Sequence, residues 1–194
     1  MISLDNAYAY IKENLTEKRY IHTLGVISVG KKLAAINGVN EEKVEMAALC
    51  HDIAKYIPKD EALRLMDENE IVLSEDEKNT PELWHSILGP IVAKREIEIE
   101  DEDILGAIRW HTTGRENMTT LEKIIYIADM IEPSRVYEGV DDIRTAVMND
   151  LDEGVIKGME HTIMHLISKG VPIDIRTVKA RNYLVTCIKD KKNA

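Results

Sequence analysis

A histidine and an aspartate stand side by side in an otherwise apolar stretch, as His51-Asp52, and Lys55 follows them. A buried ionised carboxylate is costly unless it is paired or bound to a metal. If the stretch continues as a helix, Lys55 lies one turn after His51 and on the same face. The three residues are therefore typical of a metal site with a neighbouring cation that can hold an anionic oxygen. By itself, the pair is equally compatible with a chance dipeptide that contains a structural core histidine.

Four further residues of the same chemistry are spread along the chain: His22, His85, His111 and Asp129. Asp129 is a second acid inside an apolar helical run, between Ile124 and Ile131. A set of imidazoles and carboxylates without thiolates suits divalent metals such as Fe, Mn, Ni, Co or Zn. The histidines and aspartates are thus distributed as a metal centre requires.

Four short blocks carry a family resemblance. They are Arg19-x-x-His22, His51-Asp52-x-x-Lys55, His111-Thr112-Thr113-Gly114 and Ala128-Asp129-x-Ile131-Glu132-Pro133-x-Arg135. With His85, the ordered pattern resembles the HD-domain metal-dependent phosphohydrolases, and the blocks look like those of the YqeK-type symmetrical diadenosine tetraphosphate hydrolases. The resemblance runs from about Arg19 to Asn182. One departure is Ser86, where a glycine is expected after His85, but another small residue also keeps the backbone close.

The resemblance implies six metal ligands: His22, His51, Asp52, His85, His111 and Asp129. In this interpretation Asp52 bridges two ions. His22, His51 and Asp129 complete one site, and His85 and His111 complete the other. Two ions about 3.5–4 Å apart lower the pKa of a bound water and hold the attacking and leaving oxygens. The sequence leaves open whether one ion or two bind. Iron is the favoured metal, with Mn, Co, Ni and Zn as alternatives.

Catalytic roles are implied for Asp52, Lys55, His85 and His111. Lys55 is expected to neutralise a phosphate oxygen and so to stabilise charge in the transition state. Arg135 follows Pro133 and is expected to make bidentate contact with a distal phosphate. Arg19 either holds phosphate or pairs with a carboxylate.

The remaining substrate contacts are expected near His111 and before the last helix. All the implied ligands except His51 are included among the substrate contacts. A phosphate or ribose cradle and a nucleoside wall are predicted from Thr112, Thr113, Gly114, Asp174, Arg176, Thr177 and Lys179. His161 and His165 stand at i and i+4, but they lack the glutamate of a His-Glu-x-x-His motif and are interpreted as structural.

By resemblance, the chain is an enzyme that hydrolyses diadenosine tetraphosphate and related dinucleoside polyphosphates symmetrically, giving two ADP. Another HD-type nucleotide phosphatase or phosphodiesterase would share the metal ligands and differ in the wall that binds the substrate. The lack of a Gly-Tyr-Pro signature disfavours the cyclic dinucleotide branch. A third alternative is a non-catalytic, metal-dependent nucleotide-binding regulator. The presence of every candidate ligand and of Lys55 argues against it, because a regulator does not need to activate a water molecule.

The composition fits a compact soluble enzyme and argues against a general nucleic-acid binder. The chain has 194 residues and a formal net charge of −10, which leaves no broad basic face for nucleic acid. Two cysteines, Cys50 and Cys187, are too few for a disulfide framework, so a reducing cytoplasmic location is expected. No apolar run reaches the ~18 residues of a membrane span. A homodimer is compatible with the predicted apolar helix faces.

Helix signals are distributed along the whole chain. Predicted caps and helix ends are Ser3, Thr16, Gly38, Asn40, Gly114 and Gly170. The helix with His51-Asp52 is predicted to end before Pro58, and residues 96–100 are predicted to form a loop. We expect an all-α, single-domain helical bundle of the HD-domain type over residues 1–194. Its metal-binding core spans about 18–135, and C-terminal helices within 141–192 complete the nucleotide pocket.

Overall fold

The computed structural model describes residues 2–193, and all regular secondary structure in that range is helical. The α-helices are α1 (Leu4–Asn14), α2 (Glu17–Asn37), α3 (Glu41–Cys50), α4 (Lys59–Glu68), α5 (Glu75–Asn79), α6 (Trp84–Ile97), α7 (Glu102–Trp110), α8 (Thr120–Ile131), α9 (Val140–Asn149), α10 (Leu151–Lys169) and α11 (Ile175–Asn193). A 3-10 turn at Pro81–Leu83 precedes α6. The predicted all-α class is confirmed.

The helix starts follow from side-chain caps. Ser3, Thr16 and Asn40 each accept backbone N–H groups at the first turn of the helix that follows, as predicted. α8 begins with a reciprocal capping box in which Thr119 is the cap and Glu122 reaches back to it. These caps satisfy backbone N–H groups that the helix itself leaves without a partner. Because capping residues are of a few types, these helix starts could be predicted from the sequence.

The segment after α3 differs from the prediction. α3 ends at Cys50, so His51 and Asp52 do not lie in the middle of a helix. The next residues form tight turns in which Lys55 N donates to Asp52 O at 2.9 Å and Ile57 N donates to Ala54 O at 3.3 Å. The prediction that Lys55 lies on the same helical face as His51, at i+4, was therefore wrong. Pro58 restricts the residue before it, which helps to stop the helix from continuing.

Smaller differences lie at other element ends. α5 was not predicted, α6 continues to Ile97 inside the expected loop, and the last helix starts at Ile175 rather than near Thr177. The region from 141 to 169 contains two helices, α9 and α10, which were left as one or two.

The core is one apolar cluster in which α2, α3, α7 and α8 pack against one another. Side chains such as Leu33, Leu49, Ile108 and Ile124 are fully buried there. Burial of apolar surface contributes roughly 25 cal/mol per Å² to folding, and this packing fixes the relative positions of the four helices. No helix in the described part of the chain has both the length and the apolar character that a membrane crossing requires.

The turn after α7 depends on a glycine. Gly114 has a φ of +65°, a conformation that residues with a side chain rarely adopt. An added Cβ would come within 2.6 Å of Met159 Cε and 3.5 Å of Ala180 Cβ. The turn that carries His111 is consequently packed directly against α10 and α11.

Candidate metal centre

Four imidazole rings form a row through the middle of the bundle. Successive ring centroids are 5.4 Å apart from His22 to His51, 5.1 Å from His51 to His111, and 5.1 Å from His111 to His85. His22 lies in α2 and His85 in α6, while His51 and His111 directly follow α3 and α7. All four residues are buried. The helix packing thus brings together residues that are widely separated in sequence.

Each of these rings uses its Nδ1 atom to bond to the protein. For three rings the acceptor is a backbone carbonyl oxygen three residues earlier at 2.7 Å, namely Ala48 for His51, Glu82 for His85 and Ile108 for His111. A carbonyl oxygen only accepts, so Nδ1 is the protonated nitrogen and Nε2 carries the lone pair. This arrangement is typical of histidines that bind a metal through Nε2.

The fourth ring is oriented by a carboxylate that the sequence analysis did not single out. His22 Nδ1 lies 3.0 Å from Glu132 Oε1, and Glu132 is 1% exposed. Glu132 also accepts from the backbone N–H of Ser134 at 2.7 Å. An added Cβ at Gly25 would lie 2.6 Å from Glu132 Oε2, so the absence of a side chain one turn after His22 leaves room for this carboxylate.

Two groups of donor atoms could each hold a metal ion. The first donor group is His22, His51 and Asp129, and the second donor group is Asp52, His85 and His111. Within each group the ligand atoms all lie within 4.8 Å of one another. The Nε2 atoms of His22 and His51 are buried and lack an aligned hydrogen-bond partner among the described residues, although His22 Nε2 is 3.0 Å from Asp129 Oδ1. Buried, unpartnered lone pairs beside a carboxylate fit a divalent cation.

Asp52 lies between the two donor groups. Its Oδ2 atom is 3.3 Å from His51 Nε2, while its Oδ1 atom is 3.3 Å from His85 Nε2 and 3.8 Å from His111 Nε2. One carboxylate oxygen therefore faces the first donor group and the other faces the second. A carboxylate in that position is able to bridge two ions.

The electrostatics of the centre keep both aspartates ionised. Burial would raise the pKa of Asp52, but His51, His111 and His85 hold that pKa well below its usual range. Desolvation would likewise raise the pKa of Asp129, but the His22 ring at 3.0 Å and the nearby charges of His51 and Arg135 lower it. Ionised carboxylates are the form that binds a metal.

The imidazoles respond in two different ways. Burial, together with the charges of His111 and Lys55, lowers the pKa of His85 to about 3. Burial and the nearby His51 lower the pKa of His111 to about 4. Burial would also lower the pKa of His51, but the adjacent Asp52 carboxylate raises it. His85 and His111 are therefore neutral at pH 7, as metal binding requires.

Lys55 reaches the second donor group. Its Nζ atom lies 3.2 Å from His85 Nε2 and 3.9 Å from Asp52 Oδ1. Burial lowers the pKa of the Lys55 ammonium, although Asp52 acts in the opposite direction. The tight turns after α3 thus place Lys55 beside the candidate metal ligands, as predicted, although the predicted helix is absent there.

Arg19, expected to hold phosphate or to pair with a carboxylate, and Arg135, expected to hold a distal phosphate, are both paired with candidate ligands. Arg19 donates to Asp52 Oδ2 at 2.8 Å, which is the carboxylate alternative of the prediction. Arg135 donates to Asp129 Oδ1 at 2.5 Å and to the Asp129 carbonyl oxygen at 2.8 Å. The prediction had left Arg135 free, whereas in the structure it is bound to Asp129. Both guanidinium groups stand beside the donor atoms.

A cavity of about 510 Å³ lies next to His111 and His85; its wall includes Thr112, Thr113, Leu83, Asp174 and Thr177, and we name it the Thr112 cavity. It brings together the two segments expected to form the nucleoside pocket. Gly114 does not line this cavity; it packs against Met159 and Ala180.

Two predicted members of the nucleoside wall are not in the Thr112 cavity. Arg176 donates to Glu77 Oε1 at 2.7 Å and to Asp174 Oδ1 at 2.9 Å, and Lys179 is exposed on α11. Arg109 also donates to Glu77 Oε1, at 2.8 Å. Glu77 therefore holds α5, α7 and α11 together, and its pKa is lowered to about 2, since desolvation is outweighed by hydrogen bonds from Ser74 and Arg176. This cluster was not predicted, because α5 itself was not.

Ser86 occupies the position where a glycine was expected. It is fully buried, and its Oγ atom donates to Leu83 O at 2.8 Å and accepts from Thr112 Oγ1 at 2.9 Å. The departure from the family pattern therefore ties α6 to the turn after His111.

His161 and His165 lie outside both donor groups. The ring of His161 packs against Tyr137 with a centroid distance of 4.4 Å, and His165 follows at 6.5 Å.

Comparisons with known proteins agree with this geometry. The HD domain family matches residues 19–134. The chain is 42% identical over 182 residues to "Bis(5'-nucleosyl)-tetraphosphatase, symmetrical" of Bacillus subtilis (strain 168), across 94% of this chain and 97% of the relative. It is 36% identical over 187 residues to the protein of that name from Staphylococcus aureus (strain NCTC 8325 / PS 47), across 94% of each.

A solved structure is also similar. A predicted HD superfamily hydrolase involved in NAD metabolism from Clostridium acetobutylicum aligns with a TM-score of 0.92 at 42% identity, covering 96% of this chain and 98% of that one. The helical fold, the ordered His and Asp residues and these relatives show that the chain belongs to the HD domain family.

Proposed function

We propose that this chain hydrolyses diadenosine tetraphosphate with one water molecule and releases two molecules of ADP. The observation that carries the proposal is the 42% identity, over nearly the full length of both chains, to the symmetrical tetraphosphatase of B. subtilis. Two further relatives with the same name, at 42% and 36% identity, support it. The chain is a hydrolase of phosphoric anhydrides, and its substrate is a small nucleotide.

Six side chains would hold the metal: His22, His51, Asp52, His85, His111 and Asp129. Their support is the two donor groups, the unpartnered Nε2 atoms and the two-sided position of Asp52. A divalent metal bound there supplies positive charge to phosphoryl oxygens and lowers the pKa of water. Of the metals that suit imidazole and carboxylate ligands, we propose iron first, then Mn, Co, Ni or Zn.

Lys55 has the position of a cation that stabilises charge on the reacting phosphates. It is partly buried beside Asp52 and His85, where the dielectric constant is lower than in water and a charge acts more strongly. Arg19 and Arg135 add two more cations at the edge of the donor groups. Because the whole chain carries a formal charge of −10, this local concentration of positive charge is what an anionic polyphosphate would meet.

The Thr112 cavity would bind one nucleoside. Its volume of about 510 Å³ lies within the range of roughly 300–1,000 Å³ that small-molecule sites occupy. Thr112 and Thr177 supply hydroxyl groups, and Asp174 supplies a carboxylate that can accept from a ribose or a base. With one adenosine in this cavity, its second phosphate would face the donor groups, and the bond between the second and third phosphates would break.

Product identity tests the proposal. Metal-stripped protein should be supplied in turn with Fe, Mn, Co, Ni and Mg and assayed with diadenosine tetraphosphate. We expect ADP as the only product, and in water labelled with heavy oxygen one ADP should carry the label on its terminal phosphate. Equal amounts of AMP and ATP would contradict symmetrical cleavage. Rapid cleavage of ATP with diadenosine tetraphosphate untouched would instead indicate a nucleotide phosphatase.

Two related predictions remain open to direct measurement. Cytoplasmic location was predicted from the two unpaired cysteines, both of which are free thiols in the structure. A homodimer is tested by the molar mass in solution.

A further inference from the structure

A second cavity opens at the opposite end of the imidazole row from the Thr112 cavity. Its wall includes Lys18, Arg19, His22, Tyr56, Arg135 and Tyr137, and we name it the His22 cavity. Its volume is about 490 Å³, against about 510 Å³ for the Thr112 cavity. The two spaces are therefore nearly equal in size.

The two cavities lie on either side of the donor atoms. The row of rings runs from His22 through His51 and His111 to His85. His22 is part of the wall of the His22 cavity, whereas Thr112 and Leu83, which follow His111 and precede His85 in the chain, belong to the Thr112 cavity. A molecule whose ends occupied both cavities would place its middle at the donor groups.

The His22 cavity carries positive charge. Lys18, Arg19 and Arg135 contribute three cations to its wall, against the single carboxylate of Glu132. That carboxylate is buried and accepts from His22 and Ser134, so it is directed into the protein. The wall therefore suits a ligand with several negative charges.

Two tyrosines give the same cavity a surface for an aromatic ring. The Tyr56 side chain is half exposed, and its hydroxyl lies 3.1 Å from Thr16 Oγ1, which holds the ring at the cavity rim. Tyr137 donates its hydroxyl hydrogen to Met130 O at 3.0 Å. Nucleobases stack on such rings with little regard to sequence.

A smaller cavity near Lys55 is a poorer candidate for the same ligand. It contains Lys59 and Trp84 as well as His85, but its volume is only about 220 Å³. This is below the roughly 300 Å³ at which small-molecule sites begin.

We propose that the His22 cavity binds the second nucleoside diphosphate half of the substrate, the half that leaves when the central anhydride bond breaks. This inference rests on the proposed function, because only a substrate with two nucleosides needs two such cavities. Lys18, Arg19 and Arg135 bind the distal phosphates, and Tyr56 stacks on the second base. Symmetrical cleavage then follows from two half-sites of equal size on either side of the metal ligands.

Removing the second nucleoside from the ligand tests the role of Tyr56. The KM for diadenosine tetraphosphate is compared with the inhibition constant of adenosine 5′-tetraphosphate, which has the same phosphates and one nucleoside. Tyr56→Ala should raise the ratio of this KM to this inhibition constant by about fivefold or more, since stacking on one base is worth at least ~1 kcal/mol. Tyr56→Phe, which keeps the ring and loses only the hydroxyl that lies beside Thr16 and Arg19, should restore most of the difference. An unchanged ratio in Tyr56→Ala would overturn the proposal.

Charge reversal on α2 provides a matched pair of variants. Lys18→Glu should raise the KM for diadenosine tetraphosphate by about two- to fivefold, with a smaller effect at high salt. Lys32→Glu makes the same charge change on an exposed lysine about 21 Å further along α2 and should leave KM unchanged. Equal effects of the two variants would contradict a local phosphate contact.

Binding of the product gives a readout that does not depend on turnover. Calorimetric titration of the metal-loaded protein with ADP should give two ADP per chain in the wild type and one in the Tyr56→Ala, Lys18→Glu double variant, with unchanged metal content. One ADP per wild-type chain would overturn the second half-site. If wild-type protein fails to cleave diadenosine tetraphosphate, the proposed function itself fails; if it cleaves and binds one ADP, only the His22 cavity assignment fails.

Discussion

The two donor groups contain similar atoms but differ in what surrounds them. In the first donor group, Glu132 bonds to His22 and Arg135 bonds to Asp129, while a backbone carbonyl oxygen orients His51. In the second, backbone carbonyl oxygens orient both imidazoles, and the Lys55 ammonium lies 3.2 Å from His85 Nε2. A carboxylate behind a histidine raises its basicity and strengthens metal binding. The carboxylate behind His22 thus favours a metal ion in the first donor group, whereas the second has no such carboxylate behind its histidines and has Lys55 beside His85.

This difference leads to a division of labour. A cation is paired with one ligand of each donor group, Arg135 with Asp129 in the first and Lys55 with His85 in the second, but only the first has a carboxylate behind one of its histidines. We infer that the first donor group determines metal affinity and that the second contributes more to rate. Asp52 belongs to both, since each of its oxygens faces one group.

Replacement of Asp52 should have the largest effect, because it removes an oxygen from both donor groups at once. Asp52→Ala should lose its bound metal and nearly all turnover, well beyond the about tenfold to hundredfold that loss of an outer hydrogen-bond partner costs. Metal analysis, turnover and circular dichroism of the purified variant provide the measurement. His161→Ala should keep its metal. Full metal content with wild-type turnover in Asp52→Ala would exclude a bridging role.

The contrast between the two groups is tested by one histidine from each. His22→Ala should lose more metal than His85→Ala, because only His22 is supported by a buried carboxylate. His85→Ala should keep the metal of the first donor group while its turnover falls at least tenfold. Metal content and kcat are measured on proteins loaded and desalted together. A greater loss of metal in His85→Ala than in His22→Ala would reverse the comparison.

Lys55→Ala should keep its metal and lose rate. A cation that stabilises developing charge contributes typically ~3 kcal/mol, which is about a hundredfold in turnover. Because the substitution also removes a competitor for His85, metal affinity should not fall. Lys32→Ala, on an exposed part of α2, is the control. If Lys55→Ala lost its metal and kept its rate per bound ion, the lysine would be a support for the ligands instead.

Glu132→Gln should have the smallest effect of the four. The substitution keeps the size of the side chain and removes the charge behind His22, so metal affinity should fall about tenfold while the fold is retained. A titration with a competing chelator measures this change. Glu138→Gln, on an exposed residue of the same loop, is the matched control. Equal affinities in the two variants would show that the charge of Glu132 does not strengthen metal binding.

Much of this architecture could be predicted from the sequence. Caps such as Ser3 and Thr16 act over three residues, so local reading finds them. The histidines and aspartates of the centre were also identifiable, because such residues are rare inside apolar helices. The pairings between them were implied only by a family resemblance, since helix packing decides which distant residues meet.

What could not be predicted depends on tertiary contacts. Glu132 belongs to the fourth family block, but the block gives it no role, and the histidine to which it bonds lies 110 residues away. A second signal was Gly25, whose lack of a side chain leaves space for that carboxylate. Arg176 was assigned to the nucleoside by resemblance, and its partner Glu77 was missed because the five-residue helix α5 was not predicted, although the Ser74-x-x-Glu77 capping box that starts it is visible in the sequence. After Cys50 the backbone forms tight turns in place of a continued helix, and the apolar periodicity of the sequence does not distinguish the two.

The candidate ligand atoms come from α2, the turns after α3 and α7, α6 and α8, and this dispersal would link metal occupancy to the stability of the whole fold. An unfolded chain cannot present these atoms together, so a bound ion stabilises only the assembled bundle. Each tenfold excess of free metal over its dissociation constant adds about 1.4 kcal/mol to the free energy of unfolding. The abundance of this protein in a cell would then depend on the supply of its metal, quite apart from any effect of that supply on the rate of hydrolysis.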